Sequence, residues 1–251
     1  MRVTAVIPAR YASTRLPGKP LSDIGGKPMI QWVYERVSLA SLVENVLVAT
    51  DDQRILDAVQ AFGGKGVMTS PAHRTGTDRI AEAVKGLDAE IIVNVQGDEP
   101  FIDPVVIDAC IRPIMEEGDS PVATPCTRIV SREELLNPDV VKVITDRSGF
   151  ALYFSRSAIP FDRDKAPDTV DLDREIFMKH IGLYVYDKDF LLMFSKMEPT
   201  PLEKREKLEQ LRILENGYKI RVVETTYDSL GVDSEEDLKR ARELVKTGAV
   251  I

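Results

Sequence analysis

The amino-acid sequence predicts an α/β protein with a mostly parallel sheet covered by helices on both faces. An antiparallel stretch is expected to be inserted at roughly residues 121–200. Two observations carry this expectation. Short apolar runs suited to fully buried strands alternate with longer segments of helical period, the rhythm of a parallel sheet. From about residue 121 that rhythm loosens. Three strand-like runs, "VVKVITD", "ALYFSR" and "KHIGLYVY", then follow without full helices between them, which suits antiparallel pairing.

In chain order, residues 3–7 form the first strand. Pro28 opens a helix with Met29, Ile30, Val33 and Val37 on its inner stripe, and residues 46–49 return to strand. Asp51 or Asp52 caps the next helix, which buries Ile55, Leu56, Val59 and Phe62 and stops at Gly63. Residues 66–69 give a short strand, 78–87 a helix, and "EIIVNVQGDEP" a fourth strand running into a polar turn. Beyond the insertion, one helix spans 201–215 before Gly217. A strand at 220–224 and a last helix capped by Asp233 or Ser234 follow. No repeat, low-complexity segment or linker interrupts the pattern, so residues 1–251 read as one domain with an inserted lobe.

Composition narrows the classes. A chain of 251 residues, 43% hydrophobic, can bury a full core. Its net charge of −8 argues against a nucleic-acid partner, which needs a basic face. The two cysteines, Cys110 and Cys126, have no CxxC spacing and give neither a zinc knuckle nor a disulfide framework. No run approaches a membrane span, and the opening apolar run is too short for a signal peptide, so the expected setting is the cytoplasm.

Against that acidic background, "ARYASTRLPGKPL" holds Arg10, Arg15 and Lys19 with no acid among them. Surface cations are ordinarily just solvated. This loop, however, follows the first strand of a parallel sheet, where ligands bind, and Gly18 allows close backbone approach. Arginine forks and a mobile lysine suit a triphosphate. The usual phosphate motifs are absent, since "LSDIGGKP" is not a P-loop and no GxGxxG occurs.

"NVQGDEP" places Asp98 at the end of a strand, over the same ligand edge, where a carboxylate suits Mg²⁺ as well as a turn. In "GVDSEEDL", Asp233 is either a helix cap or a second metal ligand, the latter if the last strand lies beside that of Asp98. In "HRTGTDR", His73 reads as incidental. Thr75, Gly76 and Thr77 offer backbone groups and hydroxyls to a base or ribose.

Together with "IPARYASTRLPGKPL", "ALYFSRSAIPFDRD", "KHIGLYVY" and "PLEKREKLEQLR", these stretches resemble the CMP-Kdo synthetases, or 3-deoxy-manno-octulosonate (Kdo) cytidylyltransferases. They occur in the family's order over most of residues 7–238, while 165–176 carry no match. The resemblance implies a Rossmann-like nucleotidyltransferase fold, a homodimer and Mg²⁺. It also implies the reaction of CTP with Kdo to give CMP-Kdo and pyrophosphate, for lipopolysaccharide biosynthesis. By the same resemblance, Arg10, Arg15 and Lys19 are catalytic, and Pro8, Ala9, Arg10, Lys19, Arg74, Thr75, Gly76 and Asp78 hold the nucleotide. Asp98 and Asp233 hold the metal. Gln96, Arg156, His180, Tyr184, Glu209 and Gln210 face the sugar, with Arg156 suited to its carboxylate. Two alternatives stay open: another sugar acid such as 8-amino-Kdo or sialic acid, and a non-catalytic nucleotide-binding protein.

Overall fold

The computed structural model describes residues 1–12, 16–73, 75–164, 172, 177–228 and 230–248. The first apolar run forms β1 (Val3–Ala9), longer than the sequence suggests. Its side chains alternate between faces, as a strand requires. Ala5 and Ile7 enter one core cluster and Val6 another. A small hairpin not foreseen in the sequence, β2 (Asp23–Ile24) and β3 (Lys27–Pro28), turns at Gly25 and Gly26.

The helix α1 (Met29–Ser38) buries the expected Met29, Ile30, Val33 and Val37. After β4 (Asn45–Thr50) comes α2 (Gln53–Ala61), capped by Asp52, whose Oδ1 accepts from the Arg54 N–H at 3.0 Å. Strand β5 (Gly66–Met68) leads to α3 (Gly76–Val84). This helix starts before residue 78 because the Thr75 hydroxyl caps it, accepting from the Asp78 N–H at 3.1 Å. Beyond β6 (Ile91–Asn94), the sequence reading missed α4 (Pro104–Glu116). Its start signals, an Asp103 cap and Pro104 in the first turn, are present.

Residues 121–200 supply β7 (Val122–Arg128), α5 (Arg132–Leu136), β8 (Lys142–Thr145) and β9 (Ala151–Ser155). They continue through β10 (Met178–His180), β11 (Tyr184–Asp187) and α6 (Lys188–Phe194). "KHIGLYVY" is therefore two strands, broken at residues 181–183. The expected helix over 201–215 is likewise two, α7 (Pro201–Glu206) and α8 (Gln210–Glu215). Lys207, at φ 57°, closes the first of them, its N–H bonded to the Glu203 carbonyl at 2.7 Å. Finally come β12 (Arg221–Glu224) and α9 (Glu235–Thr247).

All the strands except the hairpin join one ten-stranded sheet in the order β5-β4-β1-β6-β11-β7-β10-β8-β9, with β12 beside β7. The sheet is mostly parallel: β1, β4, β5, β6, β7, β8 and β12 run one way, and β9, β10 and β11 run against them. The order β5-β4-β1-β6 is that of the nucleotide-binding half of a Rossmann sheet. One face is covered by α1, α2 and α4, and the other by α3, α6 and α8. A third apolar cluster seats Leu238 and Ala241 of α9 against Leu16, Ile24 and Met29.

Candidate active site

Strands β1 and β6 are neighbours with a common direction, so the loops leaving their carboxyl ends meet over the sheet edge. The approach is close enough to demand glycine: a Cβ on Gly97 would lie 3.0 Å from the Pro8 carbonyl oxygen. In the other loop, Gly18 takes φ +70° and turns the chain into a short 3₁₀ segment that begins at Lys19. The Lys19 side chain thereby reaches across. Its Nζ donates to Asp98 Oδ2 at 2.6 Å and to Asp233 Oδ1 at 2.9 Å.

The structure settles which residue caps α9. Ser234 does so in a reciprocal capping box with Asp237, and the Asp233 carboxylate is directed to Lys19 instead. The route that brings it there differs from the expected one. Strand β12 lies beside β7 rather than β6, and it is the loop after β12 that reaches Asp98, through a Val232 N–H to Asp98 carbonyl bond of 2.9 Å. Burial alone would lower the pKa of the Lys19 ammonium. The carboxylates of Asp98 and Asp233 outweigh that effect and hold it above its ordinary value.

A cavity of about 370 Å³ opens here, lined by Pro8, Ala9, Arg10, Lys19, Gly76, Gln96, Asp98 and Asp233. The N-terminus of α3 contributes at Gly76, and helix N-termini favour anions. Arg10 is lowered by burial and by the charge of Arg79, against the raising influence of Asp51, Asp78 and Glu209. Arg79 itself is fully buried and bound to Asp51 Oδ2 at 2.7 Å. Thr75 and Asp78 sit at the start of α3, the first as its cap and the second in its first turn. Arg15 and Arg74 lie outside the described residues. His73, read as incidental, bonds Glu82 through its Nε2.

A second cavity, of about 250 Å³, shares Gly76 and Gln96 with the first. It gathers five of the six residues expected on the sugar side, Gln96, His180, Tyr184, Glu209 and Gln210, from separate parts of the chain. Burial pushes the His180 imidazole down to about 3 and, with the Glu209 charge, pushes the Tyr184 phenol well above its usual range. Burial also raises Glu209, although Thr77 Oγ1 donates to its Oε2 at 2.7 Å. The Gln96 amide donates to Asn94 Oδ1 at 3.1 Å.

Arg156 is not brought into this group. Its Nε donates to the Glu206 carbonyl at 2.7 Å and its Nη1 to the Pro138 carbonyl at 2.8 Å. Sequence reasoning missed Asn94 and Lys207, and it set Thr77 toward the base or ribose, whereas Thr77 lines this second cavity. A polar residue closing the apolar run "IIVN" signals Asn94, and nothing marks Lys207. A larger cleft of about 900 Å³ meets both cavities, at Asp233 and at His180.

A Rossmann-type sheet, with a lysine and two carboxylates converging at its switch point and a helix N-terminus alongside, defines a nucleotidyltransferase. The cytidylyltransferase family model matches residues 4–220. The chain is 58% identical to the 3-deoxy-manno-octulosonate cytidylyltransferase of Geotalea uraniireducens strain Rf4, over 98% of this chain and 100% of that one. It is 52% identical to the protein of the same name from Solibacter usitatus, over 98% and 95%. The chain belongs to the 3-deoxy-manno-octulosonate cytidylyltransferase family. Among solved structures, that of a CMP:2-keto-3-deoxy-manno-octonic acid synthetase complexed with CTP superimposes with a TM-score of 0.92. Its identity to this chain is 43%, with 99% of this chain and 100% of that one covered. A 4-diphosphocytidyl-2C-methyl-D-erythritol synthase from Anaerococcus prevotii shares the fold, at a TM-score of 0.61 and 16% identity.

Proposed function

We infer that the protein transfers the cytidylyl group of CTP to Kdo, giving CMP-Kdo and pyrophosphate. The carrying observation is the convergence of Lys19, Asp98 and Asp233 at the mouth of one cavity, whose wall of Gly76 and Gln96 is shared with a second. One cavity takes the triphosphate and the other the sugar acid. The sugar's anomeric hydroxyl attacks the α-phosphorus, and the new O–P bond forms as the bond to pyrophosphate breaks. No protein nucleophile is needed. Such transfers depend on positioning and charge neutralisation.

Lys19, Arg10 and Arg15 offset charge on the phosphates and on the leaving pyrophosphate. Pro8, Ala9 and the start of α3, with Arg74, Thr75, Gly76 and Asp78, frame the nucleotide. Asp98 and Asp233 fit Mg²⁺, because their oxygens already converge on one cationic nitrogen at 2.6 and 2.9 Å. A hard cation of this kind takes one or two carboxylates and completes its shell with phosphate oxygens and water. When bound there, Mg²⁺ supplies further neutralisation of the triphosphate.

Gln96, His180, Tyr184, Glu209 and Gln210 face the sugar. Its carboxylate needs a cation, and among the described residues Lys207 is the one lining the cavity. Arg156 is tied instead to the carbonyl of Glu206, the residue before Lys207. The same reading places the enzyme in the cytoplasm, as a homodimer feeding lipopolysaccharide assembly. No helix among the described residues is long and apolar enough to cross a membrane.

Pyrophosphate release measured with CTP and Mg²⁺, comparing Kdo, 8-amino-Kdo, sialic acid and no sugar, tests the proposal. Release dependent on Kdo is expected. Release with another acid alone would keep the nucleotide half and discard the Kdo half, and no release with any of them would sink both.

A further inference from the structure

Thr124, on β7, is fully buried and lies beneath the break between β10 and β11. Its hydroxyl oxygen has three neighbours: the Leu183 carbonyl at 2.6 Å, His180 Nε2 at 2.8 Å and the Ile181 carbonyl at 3.4 Å. A threonine hydroxyl carries one proton. Both carbonyls can only accept, and at 2.6 Å the Leu183 oxygen claims that proton. The bond to His180 must then run the other way, with Nε2–H donating to Thr124 Oγ1. An imidazole protonated on Nε2 and neutral overall carries a bare lone pair on Nδ1. Burial, which pushes the ring down to about 3, keeps it neutral at working pH.

No hydrogen bond reaches Nδ1 from the described residues, and His180 lines the cavity assigned above to the sugar. The ring is further held by edge contact with Phe154 and a tilted contact with Tyr184, each at 5.2 Å between centroids. The opposite tautomer would need Thr124 to donate to Nε2. That would leave its oxygen facing two carbonyl oxygens with no proton between them.

We propose that Thr124 is a positioning residue that fixes the tautomer of His180, so that the imidazole meets the sugar acid as a hydrogen-bond acceptor for one of its hydroxyls. This rests on the reading of the cavity as the Kdo site. A pure acceptor at that point selects a donor hydroxyl and disfavours an acceptor group such as a keto or carboxylate oxygen, because two lone pairs would be left facing each other.

The chain has only two histidines, which makes the test direct. Long-range ¹H–¹⁵N correlation of the imidazoles in the full-length labelled protein, with H73Q to assign the signals, reads the tautomer. The wild type is expected to show His180 in the Nε2–H form. Thr124→Val, close in shape but without the hydroxyl, is expected to lose that single form. It should also raise the KM for Kdo about ten-fold, roughly one misplaced hydrogen bond, with the KM for CTP held within about two-fold. Thr124→Ser should restore both.

An Nδ1–H ring in active wild type overturns the proposal, as does an unchanged ring in T124V, or a CTP KM that rises in step with that for Kdo. Should T124V fail to fold, the wild-type ring and the serine variant still decide. An Nε2–H ring in a wild type that releases no pyrophosphate with Kdo overturns the substrate reading, and with it the sugar half of this proposal.

Discussion

Around Lys19, charge meets charge: one ammonium lies between two carboxylates, with Arg10 on the same cavity wall. Around His180 the polar groups are partly buried and shifted toward neutrality. The imidazole is pushed down, and the Tyr184 phenol and the Glu209 carboxyl are pushed up. The two cavities share Gln96 and Gly76, yet they suit different tasks. Charge developing on a phosphate is best offset by fixed full charges. A sugar carrying many hydroxyls is best distinguished by hydrogen-bonding groups whose donor and acceptor roles are set, because a mismatched buried partner is costly. Damage to the first cavity should therefore appear in kcat with every acceptor, and damage to the second in the KM for the sugar.

The largest effect is expected from Asp98→Asn. It removes one of the two carboxylates that fit the metal and halves the partners of Lys19. We expect kcat to fall by about 10³-fold or more with any sugar acid, on the scale of a lost electrostatic element. Tm should stay within a few degrees, because Asp98 is part-exposed rather than a core contact. An unchanged rate would remove Asp98 from the metal site.

Lys19→Met comes next, at about 10²–10³-fold in kcat. A loss confined to KM would make Lys19 a residue of uniform binding. Tyr184→Phe keeps the ring stacked on Tyr186 at 5.8 Å and removes only the hydroxyl. A rise of about ten-fold in the KM for Kdo, with the CTP parameters unmoved, is the expected split. If the KM for CTP rose equally, the division between the cavities would collapse.

The same contrast explains what the sequence could reveal. Arg10 stands directly after β1, Lys19 further along the same loop and Asp98 in the turn after β6, so the strand pattern puts them over one sheet edge. The helical stripes of α1 and α2 were equally readable. The choice between Asp233 and Ser234 was harder, because both are good caps. It turns on Asp237, three residues after Ser234, completing a capping box. Glu209 lay within what reads as an unbroken helix. The turn at Lys207 has no glycine to announce it, and a left-handed lysine is held only by its surroundings. Thr124 is one buried threonine in a strand, and its role exists only through the fold of residues 180–183 above it. The charged cavity joins distant segments too, but its charges stand in loops that follow strands, and the strand pattern alone places such loops at a sheet edge. The neutral one is assembled from distant segments, and only family resemblance pointed to it.

The smallest expected effect tests the neutral cavity from inside. Glu209 has its pKa raised by burial, so the folded protein holds that proton to higher pH than the unfolded chain does. Stability associated with this group is present in full below the unfolded value of about 4.3. It is lost as pH rises through the folded value, where the charged form has to be buried. Glu209→Gln removes the titration, while its amide oxygen can still accept from Thr77. The variant should therefore match wild type near pH 4 and exceed it in Tm at pH 7. Its side chain is 35% exposed, so water screens the penalty, and the gain should stay below about 1 kcal/mol, or roughly 2–4 °C. Hydrogen bonds from Thr77 and Thr75 compete with burial, and so does Arg212, at 3.9 Å from Glu209 Oε1 but with its short bonds spent on Glu203. A Tm gap of the opposite sign would mean that Thr77, Thr75 and Arg212 together outweigh burial. The sugar cavity would then hold a full negative charge, and its contrast with the phosphate cavity would be one of shape alone.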